Sequence, residues 1–171
     1  MENTKNNFCK KRFNKGNLII IIAILFISLF LCIMLKGPKE VATVEQVWSA
    51  IDNAAYQPVE CTYLYSDELS SLEQCIGFQD DDVYFNFYVL DSNASARNLY
   101  GKMVSHVTVH YFSTPNVEYS EAQFNYCIYS LTASGRYSVV MYVGNTVVYA
   151  YCNEGNNNGI VNVLKEIAYF D

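Results

Sequence analysis

The sequence predicts an α+β domain: helices packed on an antiparallel or mixed sheet that ends in a three-stranded meander and a C-terminal helix, preceded by one transmembrane helix. Three observations predict it. An uncharged run, residues 18–35 (LIIIIAILFISLFLCIML), follows a basic N-terminus. Beyond it, segments with apolar residues at helical spacing are interleaved with β-branched and aromatic runs. The last third holds two turn pairs, Ser134-Gly135 and Gly144-Asn145, between three such runs.

The charge is distributed to match. The 171 residues carry a net charge of −6. Residues 1–17 hold Lys5, Lys10, Lys11, Arg12 and Lys15 against Glu2, and residues 18–35 hold no charge. The remainder is strongly acidic, with six basic groups against sixteen acidic ones. An acidic body excludes nucleic acid as the main partner, because phosphate binding needs a basic patch. A 51% hydrophobic content with only three Pro and eight Gly excludes a disordered or collagen-like chain.

At about 1.5 Å rise per residue the uncharged run spans roughly 27 Å, close to the hydrocarbon thickness of a bilayer. Its one polar residue, Ser28, can bond back to a carbonyl one turn earlier. The run exceeds a signal peptide's apolar region, and no Ala-x-Ala-like step precedes Gly37-Pro38. Leu29 and Leu31 stand where a lipoprotein signal ending at Cys32 would need small residues. The expectation is an uncleaved anchor in the plasma membrane, its partner the lipid bilayer through residues 18–35. The basic tail, residues 1–17, then stays in the cytoplasm, residues 36–42 form a linker, and residues 43–171 form an extracytoplasmic domain.

Within that domain Thr43 and Gln46 form a capping box, followed by Val44, Val47, Trp48, Ile51 and Ala55 on one helical face. Pro58 ends the helix, and residues 60–65 read as a short strand. Ser66 caps a second predicted helix with Leu69, Leu72, Cys75 and Ile76 in a stripe. Asp80-Asp81-Asp82 marks a turn before residues 83–90 (VYFNFYVL), the clearest strand in the chain. Asp91 or Ser92 caps a third helix bearing Ala96, Leu99, Tyr100 and Met103. Residues 107–112 read as a strand and residues 114–121 as a polar connection. Residues 124–131, 136–143 and 146–152 form the meander. A polar loop, residues 153–159, leads to a last helix with Ile160, Val163, Leu164 and Ile167 at i, i+3, i+4 and i+7.

Two-residue turns fix the meander's register. Val143 faces Thr146, Met141 faces Val148 and Val139 faces Ala150, all on one side of the sheet. The opposite side carries Tyr129, Tyr142, Tyr149 and Tyr151. These rings form either a binding platform, offering flat apolar faces with polar tips, or a surface covered by the domain's own helices. The same register puts Cys127 and Cys152 on opposite faces, too far apart to bridge. Cys61 and Cys75 are the better disulfide pair, the alternative being reduced, buried thiols. Cys9 falls in the tail and Cys32 in the membrane.

Catalytic signals are sparse. His106 and His110 would lie roughly 13 Å apart on a strand, too far to share a metal. Asp80-Asp81-Asp82 lacks the alternating spacing of a calcium loop. No nucleophile elbow, phosphate loop, dinucleotide fingerprint or zinc-protease helix is present. The expectation is no metal, no cofactor and no catalytic residue.

Trp48 to Tyr56, the strand DVYFNFYVLD leading into Ala96 to Tyr100, and VGNTVVYAY leading into Ile160 to Tyr169 resemble uncharacterised small membrane-anchored or lipid-attached proteins of low-GC Gram-positive bacteria. The resemblance implies an extracytoplasmic surface domain and assigns no functional residue. The order His110, Cys127, Arg136 after an N-terminal anchor is also similar to sortase-type cysteine transpeptidases. There a thiolate attacks an acyl carbonyl, with His as acid or base and Arg at the oxyanion. This chain reads Gln-Phe-Asn-Tyr-Cys where a sortase strand reads Thr-Leu-x-Thr-Cys. The expected function is a binding or interaction module at the cell envelope, with an envelope protein or cell-wall glycan as partner; the alternative is a sortase-like transpeptidase.

Overall fold

The structure is a computed structural model and describes residues 20–28, 37–110 and 115–170, the side chains of His110, Pro115 and Asn116 excepted. The chain divides into two compact units, one ending at Lys36 and one running from Gly37 to Asp171. In the first, residues 20–28 form helix α1, and the Ser28 hydroxyl donates to the Leu25 carbonyl over 3.0 Å. The predicted tail, both ends of the predicted span, Cys9 and Cys32 lie outside the described residues. Among the described residues no helix is long and apolar enough to cross a membrane.

The second unit is a seven-stranded antiparallel sheet with helices on both faces. Its elements run α2 (Val44–Asn53), β1 (Val59–Glu60), α3 (Thr62–Tyr65), β2 (Leu72–Asp80), β3 (Val83–Leu90), α4 (Asn93–His110), β4 (Pro115–Gln123), β5 (Tyr126–Ala133), β6 (Arg136–Val143), β7 (Thr146–Asn153) and α5 (Asn158–Glu166). The strand order is β1-β2-β3-β7-β6-β5-β4. Every neighbouring pair is antiparallel, so of the two sheet types expected the antiparallel one forms.

The meander register is the predicted one: Val143 pairs Thr146, Met141 pairs Val148, Val139 pairs Ala150, and Tyr129 pairs Val140. Gly144 takes φ +57°, as the tight turn requires. The Val, Met and Ala face receives α2 and α5, whose Val47, Ile51, Ile160 and Leu164 join it in the larger core. Each such fully buried side chain contributes about 1.5–3 kcal/mol by leaving water. Cys152 belongs to this core, while Cys127 packs on the opposite face.

The capping box at Thr43 forms both of its bonds. The preceding segment is fastened to the domain: Asn125 pairs its carboxamide with the Lys39 backbone in both directions, at 3.1 and 2.7 Å. Tyr169, just after α5, is fully buried and accepts the Ala42 N–H at 3.1 Å.

Four predicted elements differ. Residues 60–65 are not one strand, because Glu60 turns back to accept the Thr62 N–H at 3.0 Å and starts the single turn of α3. The helix predicted after Ser66 is instead the strand β2. Its apolar run Cys75-Ile76-Gly77-Phe78 is buried on both faces, so it lacks the alternation that marks a half-buried strand. The strand predicted at residues 107–112 continues α4 through His110. There Val107 stays in line with Ala96, Leu99 and Met103, so tertiary packing overrides its β-branched propensity. The polar connection at residues 114–121 forms the edge strand β4, which pairs on one side only and therefore tolerates Pro115 at its start.

Candidate aromatic cleft

Helix α4 lies across the tyrosine-bearing face of the sheet and divides it. Beneath the helix, Tyr129 and Tyr142 are 6% and 7% exposed and belong to the domain's own cores. Tyr142 meets Tyr100 edge-on at 5.3 Å and the Arg97 guanidinium at 5.7 Å, and its hydroxyl accepts the Cys127 thiol at 3.5 Å. Beyond the helix, Tyr149 and Tyr151 are half-buried. The four predicted tyrosines thus share one sheet face but two environments.

The uncovered part extends onto β3, which sequence reasoning left out. Tyr84 stacks on Tyr151 at 4.7 Å and 11°, and Arg136 caps Tyr151 with its guanidinium 3.8 Å from the ring centre. Tyr84 also meets Tyr149 edge-on at 5.8 Å. Strand β3 pairs β7 with Tyr84 opposite Tyr151 and Asn86 opposite Tyr149, which places these side chains in one file across two strands.

A cleft of about 330 Å³ opens between this file and α4. Tyr84, Tyr88 and Tyr149 form its floor, Leu99 and Met103 of α4 one wall, and Tyr65 and Leu69 the other. Glu68, Lys102 and His106 add polar and ionisable groups to the lining. A second hollow of about 240 Å³ lies on the other side of Tyr65 and Tyr84, lined by Cys61, Gly77 and Asn86.

Between the two hollows sits a hydroxyl network. Asn86, 4% exposed, points its Nδ2 at the hydroxyls of Tyr65, Tyr84 and Tyr88 at 2.8, 2.6 and 2.9 Å. Two amide hydrogens cannot fully serve three acceptors, so the phenols share them. The Tyr65 and Tyr84 hydroxyls also bond each other at 2.8 Å. Among the described residues the Asn86 Oδ1 meets a weak donor, the Cys61 thiol, at 3.9 Å. Burial pushes the Tyr84 and Tyr88 phenols far above their ordinary range, with the Tyr65 hydrogen bond adding to the rise at Tyr84. Both are neutral at physiological pH, and the network presents hydroxyls rather than charges.

Gly77 makes room for this arrangement. It pairs Asn86 across β2 and β3, and a Cβ there would collide with the Asn86 carboxamide and the Phe85 carbonyl. A lone glycine in an apolar strand marks such a close approach, but with the preceding residues read as helix from the sequence the signal was missed.

The other predicted residues fall as follows. Cys61 and Cys75 come together as buried free thiols, their Sγ atoms 2.9 Å apart. Cys127 and Arg136 do not come together. Arg136 pairs Ala133, six positions along β5 from Cys127, a separation of roughly 20 Å. The His110 side chain lies outside the described set. Among the described residues no group of three His, Cys, Asp and Glu side chains is placed to hold a metal ion.

No protein-family model matches the chain, and no curated protein matches it. Two solved structures are similar to it. One is a GTP binding regulator from Thermotoga maritima, at 13% identity over 77% of this chain and 91% of that one, with a TM-score of 0.46. The other is the extracellular domain of PknH from Mycobacterium tuberculosis, at 10% identity over 74% of this chain and 90% of that one, with a TM-score of 0.42.

Proposed function

We propose that the chain is a membrane-anchored extracytoplasmic binding module that takes a small cell-wall glycan fragment in the aromatic cleft beside α4. The observation that carries this reading is the cleft itself. It is concave, walled by Tyr65, Tyr84, Tyr88 and Tyr149, and edged by Lys102 and His106. Ligand sites combine mainly apolar and aromatic walls with a few polar groups, and start at about 300 Å³. A sugar ring offers an apolar face to an aromatic side chain and hydroxyls to phenol and amide groups. A protein partner fits less well, since a stable interface needs on the order of 1,200 Å² of buried surface rather than one narrow hollow.

The anchoring part of the reading is supported by the sequence: the basic tail, the uncharged residues 18–35 and the acidic body. Protease added to intact cells should remove the domain and spare the N-terminus. Protection of the domain in that experiment would overturn the topology.

The binding part is tested on the full-length chain in detergent, titrated with soluble peptidoglycan fragments. Tyr149→Ser should weaken binding tenfold or more, each desolvated ring contributing on the order of 1 kcal/mol or more. Tyr142→Ser should instead lower stability, because that ring is buried under α4. Saturable binding that Tyr149→Ser leaves unchanged would remove the cleft as the site.

A further inference from the structure

Two buried thiols stand at the ends of the cleft's outer wall. Cys61 immediately precedes α3 and Cys75 lies in β2. Their Sγ atoms are 2.9 Å apart, and the Cys61 N–H donates to the Cys75 carbonyl at 2.9 Å. Between them the chain passes through Tyr65, Glu68 and Leu69, all of which line the cleft. No residue of α3 is buried. The wall is held by a few contacts: Thr62 Oγ1 accepts the Cys75 N–H at 2.7 Å, the Tyr65 ring meets Tyr88 edge-on at 5.4 Å, and half-buried Tyr65 and Leu69 pack on the core beneath.

We propose that Cys61 and Cys75 form a disulfide that staples this wall in the position that shapes the cleft. The step is thiol–disulfide exchange with a disulfide oxidant, either a small molecule or a protein oxidoreductase. The Cys61 thiolate attacks one sulfur of the oxidant; the oxidant's S–S bond breaks and its first thiolate departs with a proton. The Cys75 thiolate then attacks the Cys61 sulfur, closing the Sγ–Sγ bond and releasing the second oxidant thiol. Two protein thiols are oxidised by two electrons, and one oxidant disulfide is reduced to two thiols.

The geometry sets that order. Cys61 lines the second hollow, whereas Cys75 is completely buried. The hydrogen bond from Cys75 holds the Cys61 thiol below its ordinary range. The same contact, with burial, pushes Cys75 up. Cys127 shares the face of Cys75 but lies on β5, four strands away from β2 or about 19 Å, and Cys152 packs on the opposite face, so neither competes for either partner. Persistence of the bond in the cell rests on the extracytoplasmic reading above, because thiols stay reduced in the cytosol.

The test uses the full-length chain in detergent, equilibrated with excess oxidised glutathione and digested without reduction. A linked peptide pair containing Cys61 and Cys75 is expected, with an intact mass lower by two hydrogens. Amide exchange across residues 61–75 should be slower by roughly tenfold or more than in the dithiothreitol-reduced chain. Cys75→Ser should trap Cys61 as a mixed disulfide with glutathione. Alkylation of both cysteines after oxidation of a still-folded chain, linkage to another cysteine, or unchanged exchange would each overturn the staple. This assay does not depend on compartment. A linked pair in a domain that protease places in the cytoplasm would sink the anchored reading and leave the staple standing. Free thiols in a domain exposed to protease would do the reverse.

Discussion

The Tyr65 hydroxyl lies 2.8 Å from the Tyr84 hydroxyl, joining the one-turn helix α3 to strand β3. This contact separates the two hollows of the candidate site. It also makes Tyr65 the redundant acceptor of Asn86, whose two amide hydrogens retain Tyr84 and Tyr88 without it.

Tyr65→Phe removes the bond to Tyr84 and a share of the Asn86 amide, and should therefore cost only about 1 kcal/mol of stability in this half-buried place. Asn86→Ala removes the donor for all three phenols and should cost about 2 kcal/mol or more. Urea unfolding of the two variants checks the order. Equal losses would contradict the sharing of hydrogens.

Two glycines should respond with opposite signs. Gly77→Ala drives a methyl group into the Phe85 carbonyl, a backbone group that cannot turn aside, and should destabilise by about 3 kcal/mol. Gly101, exposed within α4, has nothing within 4 Å of a Cβ. Gly101→Ala should stabilise by roughly 0.5–1 kcal/mol through helix propensity. Thermal melts of the two variants on either side of the parent would establish the contrast.

Tyr169 holds the entry to α2. Thr146 donates its hydroxyl to the Val143 carbonyl at 2.8 Å, so at 2.6 Å it is Tyr169 that donates to Thr146 while accepting the Ala42 N–H. Tyr169→Phe leaves that buried N–H without its acceptor and should cost about 1–3 kcal/mol. Amide exchange at Ala42 should accelerate in the same variant; protection equal to the parent's would exclude this role.

Alkali should unfold the domain. Burial pushes both Tyr100 and Tyr137 up to about 12 from an ordinary 10.0. An acid with a raised folded pKa binds more protons folded than unfolded between those values. Its contribution is full below about pH 10 and is lost as pH rises through about 12. Tyr84 and Tyr88, also raised, act in the same direction. Tyrosinate absorbance should appear late and together with loss of the folded spectrum. Ionisation of these rings near 10 with the fold intact would contradict their burial.

Local patterns were sufficient for the elements whose signals lie within a few residues. The capping box at Thr43, the run of residues 83–90, the two hairpin turns and the Ile160 stripe read directly, because a side chain's period or a turn's φ is a property of nearby residues. The register followed from the turns, and with it the common face of Tyr129, Tyr142, Tyr149 and Tyr151. Strand β2 was not legible: buried on both faces, Cys75 to Phe78 carry no alternation, and their strand state is set by β3 across eight paired positions. For the same reason the run from Val107 to His110 reads as strand in isolation and becomes helix under α4's packing.

The site divides along that line. Alternation along a strand determined which tyrosines share a face. Which of them are covered depends on where α4 lies, and that is fixed by apolar burial from Ala96 to Val107, far along the chain from the rings it covers. The approach of Cys61 to Cys75, and of Tyr65 to Tyr84 and Asn86, depends on the pairing of β1, β2 and β3. Only the assembled sheet brings those groups within bonding distance, because no local spacing links a turn of helix to a strand nineteen residues on.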